Sequence, residues 1–465
     1  MQRQVALIKQ SLFDQGYLDE QFMELEELQD DANPNFVEEV SALYFKDSAR
    51  LINNIDQALE RGSFDFNRLD SYMHQFKGSS TSIGASKVKA ECTTFREYCR
   101  AGNAEGCLRT FQQLKKEHST LRKKLEHYFQ LARQAGPKET APMMTFGDSV
   151  VDVGNNNYLP TLFRADYPPY GRDFANHKAT GRFCNGKLAT DITAETLGFT
   201  KYPPAYLSPE ASGKNLLIGA NFASAASGYD DKAALLNHAI PLYQQVEYFK
   251  EYKSKLIKIA GSKKADSIIK GAICLLSAGS SDFVQNYYVN PLLYKVYTVD
   301  AYGSFLIDNF STFIKQVYAV GARKIGVTSL PPTGCLPAAR TLFGFHEKGC
   351  VSRLNTDAQN FNKKLNAAAS KLQKQYSDLK IVVFDIYSPL YDLVQNPSKS
   401  GFTEATKGCC GTGTVETTSL LCNPKSFGTC SNATQYVFWD SVHPSEAANE
   451  ILATALIGQG FSLLG

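Results

Sequence analysis

The first 133 residues carry the apolar spacing that is typical of amphipathic helices. Between residues 35 and 62, apolar side chains recur close to every 3.6 positions, at Phe36, Val40, Leu43, Tyr44, Leu51, Ile55 and Leu59. This period places one apolar stripe on a helix, and Gly62 is a typical helix stop. The stretches 67–103 and 105–134 show the same period, and the first of them has room for one or two helices. We therefore predict an all-α helix bundle.

After Pro142 the pattern changes to short apolar runs that lead into Gly, Ser or Asp. These runs are MMTFGDS, LLIGANFAS, GAICLLSAGSSDF, ARKIGVTSLPP and LKIVVFDIY. Longer helical stretches separate most of them. Alternating strands and helices predict a parallel sheet that helices cover on both faces, with ligands bound at the carboxyl ends of the strands.

The change of pattern falls in the short stretch AGPKETAP. At 465 residues the chain is long enough for two or three domains. Two prolines within about eight residues make this stretch a short, semi-rigid spacer. We therefore predict a multidomain chain, with a helix bundle over residues 1–135, a linker over 136–142 and an α/β domain over 143–465.

Charge and hydropathy argue against two classes of partner. The formal net charge is only +3, which gives no reason to expect a nucleic acid. No uncharged apolar run reaches the ~18 residues that a membrane span needs. The N-terminal run VALI is too short for a signal peptide, so the chain as it stands is expected in the cytoplasm or nucleus.

The cysteines point to a different compartment. Eight of the eleven follow the linker, and four share one Gly-, Thr- and Ser-rich stretch, namely Cys409, Cys410, Cys422 and Cys430. A segment with so little to bury gains from disulfides, which are typical of secreted proteins. A zinc site is the alternative, but the stretch has neither a C-x-x-C pair nor a nearby histidine. The sequons at Asn309 and Asn432 also fit a secreted origin.

One histidine of the predicted bundle has neighbours that suit phosphoryl chemistry. In HQFKGSSTSIGAS, His74 stands on a helix surface, and an imidazole is a competent nucleophile toward phosphoryl groups. Lys77 lies one turn away and can neutralise a phosphate, while Gly78 removes a side chain that would crowd the imidazole. Phosphoryl transfer needs little beyond positioning and positive charge. The alternative is an ordinary surface histidine beside a loosely formed helix.

The stretch HQFKGSSTSIGASKVK closely resembles the signature of plant histidine phosphotransfer proteins, the carriers of two-component phosphorelays. The resemblance covers essentially all of residues 1–133. It implies that His74 accepts the phosphoryl group, with Gln75, Lys77 and Gly78 around it. It also implies that the partners are receiver domains of histidine kinases and response regulators, and that the domain has no catalytic machinery of its own.

Two motifs of the second region could supply a nucleophile and its base. Ser149 follows the first strand in FGDSVVDVGNNN, and His443 stands in FWDSVHPSEAANE, three residues after Asp440. A serine needs a base to become a nucleophile, and an Asp-x-x-His turn lets the carboxylate hold one imidazole nitrogen while the other faces the serine. The alternatives are ordinary turn chemistry at Gly-Asp-Ser and a helix cap at Asp440. The G-x-S-x-G motif of the other large esterase fold is absent.

Together with YPPYGRDFANHKATGRFCNGK, GANFASAASGY and SLPPTGCLP, these blocks resemble the plant GDSL esterase/lipases of the SGNH hydrolase superfamily. The resemblance runs from about Met144 to the C-terminus and implies a three-layer α/β/α hydrolase. It implies Ser149 as the nucleophile, His443 as the base and Asp440 as the acid that orients it. The backbone amides of Ser149 and Gly228 would form part of the oxyanion hole.

Two positions depart from the superfamily pattern. Ser281 in GSSD stands where the pattern has an asparagine that donates to the oxyanion. A serine hydroxyl can also donate, but it is shorter and free to rotate, so we expect retained activity that is weakened or shifted in substrate range. Cys184 in GRFCNG stands where serine is more usual, and we expect no effect from it.

These features predict a serine ester hydrolase with an N-terminal phosphorelay domain and with no metal or cofactor. The resemblance implies ester substrates such as lipids, acetylated polysaccharides or small metabolites. One alternative is a phosphorelay carrier whose hydrolase half is inactive or misplaced, because cytosolic synthesis would leave its cysteines reduced. Another is a merged gene model or an artificial fusion, in which the bundle replaces the signal peptide of a hydrolase. Nothing in the sequence shows coupling between the two sites.

Overall fold

A computed structural model describes residues 2–29, 33, 35–60, 64–135, 141–345, 347, 349–412, 415 and 417–464. The chain forms two compact units, Met1–Glu139 and Thr140–Gly465. Of the linker expected over residues 136–142, only 141 and 142 lie within the described residues. Within those residues, no helix has the length and hydropathy to cross a bilayer.

The N-terminal unit is helical, as the apolar spacing predicts. Its helices are α1 Gln2–Asp14, α2 Glu20–Glu27, α3 Phe36–Glu60, α4 Phe66–Ser82, α5 Ser86–Arg100 and α6 Ala104–Ala135. The stretch 67–103 thus forms two helices, because the chain turns at Gly84 with a φ of +70°. A Cβ at Gly84 would lie 2.7 Å from the backbone nitrogen of Phe22, so the turn requires glycine. Asp19 and Asp65 cap α2 and α4 by accepting from backbone N–H groups.

Side chains from all six helices form one apolar core. Six of the seven α3 positions predicted from the apolar period are buried or partly buried against it: Phe36, Val40, Tyr44, Leu51, Ile55 and Leu59. The prediction for Leu43 is wrong, because its side chain is 65% exposed. Adjacent helical residues point about 100° apart, so burial of Tyr44 turns Leu43 away from the core.

The second unit is built on a five-stranded parallel sheet in the order β2-β1-β3-β4-β5. Its strands are β1 Met143–Gly147, β2 Gly219–Asn221, β3 Ile273–Ser277, β4 Lys324–Thr328 and β5 Lys380–Phe384. Each strand lies in one of the predicted apolar runs. A second, two-stranded sheet pairs β6 Glu404–Gly408 with β7 Tyr436–Phe438.

Helices cover both faces of the five-stranded sheet, which confirms the three-layer fold. They are α7 Ala189–Thr196, α8 Asp231–Leu236, α9 Leu242–Ala260, α10 Ser262–Gly271, α11 Pro291–Val296, α12 Val299–Val320, α13 Pro337–Phe343, α14 Ser352–Gln375, α15 Tyr387–Gln395, α16 Glu446–Gln459 and α17 Phe461–Leu464. On one face, Phe146 of β1 packs against Phe249 of α9 and Phe313 of α12. On the other face, Ile273 of β3 packs with Leu463 of α17.

The backbone at the carboxyl end of β1 is held from two sides. Gly147 ends the strand with a φ of +131°, and a Cβ there would lie 1.8 Å from the carbonyl oxygen of Ser277 in β3. The buried side chain of Gln245 accepts from the Gly147 N–H at 2.9 Å and donates to the Gly147 carbonyl at 3.0 Å. The next N–H, that of Asp148, donates to the Ser277 carbonyl. These hydrogen bonds therefore fix the position of the backbone from which the turn with Ser149 begins.

Three disulfides cross-link the second unit. Cys409–Cys430 and Cys410–Cys422 pair all four cysteines of the Gly-, Thr- and Ser-rich stretch, which confirms the expected cross-linking, and Cys335–Cys350 closes a third loop. The remaining cysteines are buried free thiols: Cys92, Cys99, Cys107, Cys184 and Cys274. The first three of these lie in the helical unit, so its described cysteines are all reduced.

We predict that Gly147→Ala destabilises the second unit by about 2 kcal/mol or more, because the new methyl group meets the Ser277 carbonyl in a backbone conformation that L-residues avoid. The chain has a single tryptophan, the buried Trp439, so its fluorescence during thermal unfolding reports this unit. Gly271→Ala is the control, because a Cβ there has open space. Equal melting temperatures for the two variants would contradict the prediction.

Candidate functional site

Three side chains that lie far apart in the sequence form one buried hydrogen-bonded series. Ser149 follows β1, and His443 lies 294 residues later in the turn between β7 and α16. Ser149 Oγ is 2.7 Å from His443 Nε2, and His443 Nδ1 is 2.9 and 2.8 Å from the two carboxylate oxygens of Asp440. All three side chains are buried. The structure thus brings together the three residues that the sequence singles out.

Several donors fix the carboxylate of Asp440. The backbone N–H groups of Val442 and His443 each donate to its Oδ1 at 2.8 Å, so the short turn itself holds the group. Burial acts to raise the pKa of Asp440, but the charge of His443 and the hydrogen bonds outweigh it and lower this pKa below its ordinary value. Asp440 is therefore an ionised carboxylate, which can orient an imidazole and stabilise an imidazolium.

Sequence reasoning missed Tyr170, whose hydroxyl donates to Asp440 Oδ2 at 2.9 Å. The ring is fully buried and packs edge-on against Trp439 and Phe183. The ring of Phe183 in turn lies 5.0 Å from that of His443. No local spacing signals this contact, because Tyr170 and Asp440 are 270 residues apart. These aromatic rings enclose the His443–Asp440 pair in an apolar shell.

Asp282 connects two of the three segments predicted to bind the oxyanion, those of Gly228 and Ser281. Its carboxylate accepts from the backbone N–H groups of Tyr229 and Asp230, each at 2.8 Å. Gly228 lies against the same carboxylate, and a Cβ there would be 2.5 Å from both of its oxygens. Burial raises the pKa of Asp282 to about 7. Sequence reasoning assigned no role to Asp282, although it stands directly after Ser281.

Ser281 lies in a helical turn that leads into the π-helical segment Asp282–Tyr287, and its side chain is buried. Because Asp282 binds the backbone that follows Gly228, the structure brings the segments of Ser281 and Gly228 together. Their roles as oxyanion donors stay predictions. Cys184 is a buried thiol whose Sγ lies 3.6 Å from Asn449 Nδ2 and 3.6 Å from the carbonyl oxygen of Pro444, the residue after His443.

The second candidate site lies on α4 of the helical unit. His74 and Gln75 are exposed on the helix surface, and Lys77 is partly buried. A Cβ added at Gly78 would meet no atom within 4 Å, so a methyl group there would not crowd the imidazole. That a longer side chain at this position would crowd the imidazole stays a prediction. What glycine leaves at this position is open surface beside His74.

Sequence reasoning also missed the partners of the imidazole. Arg96 of α5 places Nη1 3.0 Å from His74 Nδ1. Asp70 fixes the guanidinium by accepting from its Nε at 2.8 Å and from Nη2 at 3.1 Å. The hydrogen bonds from Arg96 lower the pKa of Asp70. Because a guanidinium can only donate, Nδ1 is the acceptor in this contact, and a neutral imidazole then carries its proton on Nε2.

Comparison with known proteins matches both regions of the chain. The family model of the GDSL-like lipase/acylhydrolases matches residues 143–456, and that of the Hpt domain matches residues 39–124. A GDSL esterase/lipase of Arabidopsis thaliana is 60% identical over 322 residues, which cover 69% of this chain and 89% of the relative. A second Arabidopsis thaliana GDSL esterase/lipase is 59% identical over 324 residues, with 69% and 91% covered.

A solved structure of a histidine-containing phosphotransfer protein from Medicago truncatula is similar to the first region. It is 46% identical, covers 29% of this chain and 94% of its own, and has a TM-score of 0.28. The family model of the Hpt domain identifies residues 39–124 as an Hpt domain. The larger match, over residues 143–456, shows that the chain belongs to the GDSL-like lipase/acylhydrolase family.

Proposed function

We propose that Ser149, His443 and Asp440 hydrolyse carboxylic esters through an acyl-enzyme. Ser149 Oγ attacks the ester carbonyl carbon while His443 Nε2 takes the hydroxyl proton, and Asp440 stabilises the imidazolium that forms. The negative charge that develops on the carbonyl oxygen is stabilised by hydrogen bonds from the backbone N–H groups of Ser149 and Gly228 and from the hydroxyl of Ser281. When the C–O bond breaks, His443 gives its proton to the leaving alcohol.

Water completes the cycle by the same steps. His443 takes a proton from a water molecule, whose oxygen attacks the acyl carbon, and the bond to Ser149 Oγ breaks as the proton returns to that oxygen. The carboxylic acid product then leaves. The observation that carries the proposal is the unbroken series from Ser149 Oγ through His443 to Asp440, with every distance between 2.7 and 2.9 Å.

We predict that Ser149→Ala lowers kcat/KM for p-nitrophenyl butyrate by at least about 10⁴-fold, because the acyl acceptor is gone. Initial rates of p-nitrophenolate release measure this loss. Ser254→Ala is the matched control, since Ser254 is an exposed serine on α9. If Ser149→Ala retains the activity of the parent chain, the assignment of the nucleophile is wrong.

We predict that Tyr170→Phe lowers kcat about tenfold with KM unchanged, because it removes a hydrogen bond that holds the charged Asp440 without touching the substrate. Tyr158→Phe, at an exposed tyrosine, is the control. An unchanged kcat would show that Tyr170 acts only in packing.

We also propose that the helical unit carries a phosphoryl group on His74. The supporting observation is the exposed imidazole of His74, which Arg96 contacts at Nδ1. Before transfer the ring exchanges its proton through solvent, so that Nδ1 carries it and Nε2 holds the free electron pair. Nε2 then bonds to the phosphorus of a receiver domain's aspartyl phosphate, the bond to the aspartyl oxygen breaks, and the Nδ1 proton passes to solvent. Receiver domains of histidine kinases and response regulators are the proposed partners, and they supply the remaining chemistry.

We predict that His74→Gln abolishes phosphate transfer from a phosphorylated receiver domain, while His127→Gln leaves it unchanged. His127 is an exposed histidine on α6 and so is a matched control. Acid-labile phosphate on the full chain is measured by phosphate-affinity electrophoresis. Labelling of the His74→Gln chain at the rate of the parent would contradict the assignment.

A further inference from the structure

The buried loop over residues 224–230 carries Gly228, and part of its backbone is strained. Ala226, two residues before Gly228, has a φ of +68°, a left-handed conformation that is unfavourable for a residue with a Cβ. Such a conformation persists only where the surrounding structure holds it. The loop therefore depends on contacts from other parts of the chain.

The N–H of Gly228 has no acceptor within the protein. Among the residues that the structure describes, it donates to no carbonyl and to no side chain, and the same is true of the N–H of Ser149. A buried N–H without a partner is costly, so each such group calls for an explanation. Both donors are free to bind the carbonyl oxygen of an ester that lies at Ser149.

The backbone that follows Gly228 is bound by the carboxylate of Asp282. This carboxylate is fully buried and accepts from the N–H groups of Tyr229 and Asp230, each at 2.8 Å. Hydrogen bonds to a charged acceptor are about twice as strong as those between neutral groups. Asp282 therefore fixes the two peptide groups that come directly after Gly228.

Two amide side chains hold the same loop from α12 and α9. Asn309 of α12 donates from Nδ2 to the carbonyl of Tyr229 at 2.9 Å. Gln245 of α9, which also holds the end of β1, donates to Ser227 Oγ at 3.2 Å. The residues on both sides of Gly228 are thus fixed, and with them the direction of the N–H between them.

The contact of Asn309 gives one of the two sequons a structural use. A glycan would be linked to Nδ2, which is the atom that donates to Tyr229. The side chain of Asn309 is partly buried on α12. Its contact with the loop accounts for this asparagine without a glycan.

We propose that Asp282 and Asn309 are positioning residues, which hold the loop so that the Gly228 N–H points at the oxyanion. This inference rests on the proposed esterase function. Both side chains act through the backbone of the loop and need not touch the substrate. A misplacement of about 1 Å can cost about 10²-fold in rate. Because the oxygen becomes fully charged only along the reaction, the loss falls on kcat and not on KM.

Asp282→Asn, assayed with p-nitrophenyl butyrate at pH 8, tests the first residue. Burial raises the pKa of Asp282 to about 7, so the carboxylate of the parent is ionised at this pH. Asparagine has the same shape, but its NH₂ group would face one of the two N–H donors. We expect kcat to fall about 10²-fold with KM unchanged. Asp308→Asn, at an exposed aspartate of α12, is the matched control and should change neither. A kcat equal to that of the parent in Asp282→Asn would overturn the proposal.

Asn309→Asp decides the question if Asp282→Asn fails to fold. Aspartate keeps the shape of the side chain but has no N–H for the Tyr229 carbonyl, and we expect kcat to fall about tenfold. Asn366→Asp is the matched control, because Asn366 is exposed and its Nδ2 donates to a carbonyl of its own helix. An unchanged kcat in Asn309→Asp would equally overturn the proposal.

Inhibition by an alkyl trifluoromethyl ketone separates positioning from a loss of folded protein. Ser149 Oγ adds to the ketone carbon, His443 takes the hydroxyl proton, and the ketone oxygen becomes an oxyanion that resembles the transition state. In Asp282→Asn and Asn309→Asp, the inhibition constant should rise by the factor by which kcat/KM falls. An unchanged inhibition constant beside a lowered rate would show a loss of folded protein only and would overturn the proposal.

The parent chain distinguishes the two ways of failing. If it hydrolyses the ester and Asp282→Asn does so equally fast, the positioning role fails while the esterase function stands. If the parent hydrolyses no ester, the esterase function fails and the positioning role falls with it.

Discussion

The hydrogen bond between Ser149 Oγ and His443 Nε2 is the interaction on which the rest of the hydrolase unit depends. A serine hydroxyl is a poor nucleophile unless a base lies within hydrogen-bond reach, so the fold has to join two segments 294 residues apart. Gln245 holds the end of β1 from which Ser149 departs. Asp440 and Tyr170 hold His443 from the other side. Ser149 lies at the carboxyl edge of the parallel sheet, where ligands bind in such folds, and His443 comes from the turn that follows β7 of the second sheet.

The two candidate sites differ in their exposure to solvent, because the two reactions make different demands on the site. The hydrolase buries Ser149 and its partners because a buried, prearranged set of dipoles stabilises charge without reorganisation when the reaction occurs. His74 is exposed because its partner must bring both the phosphate and the groups that stabilise its transfer. The two units also differ in their cysteines: the hydrolase unit has three disulfides beside the free thiols of Cys184 and Cys274, whereas the described cysteines of the helical unit are all free thiols.

The spacing of apolar residues along the chain predicted most of the helices and strands. The contacts that were not predicted join residues that are distant in the sequence. The 3.6-residue period of apolar side chains predicted α3, and the short apolar runs between helical stretches predicted the five strands. Leu43, which is exposed beside the buried Tyr44, shows that this period does not tell which of two adjacent apolar residues faces the core. Motifs pointed to Ser149 and to the Asp440–His443 turn. Tyr170 and Arg96 were missed because their partners come together only through packing, which no spacing encodes.

Covalent labelling with a fluorophosphonate tests the central claim most directly, because the reagent reacts only with a serine activated by a neighbouring base. The full chain is treated with the reagent, digested and analysed by mass spectrometry, with the heat-unfolded chain as control. We expect one adduct per chain, on Ser149, that is lost in His443→Gln and on unfolding. No adduct, or an adduct on another residue of the folded chain, would contradict the account.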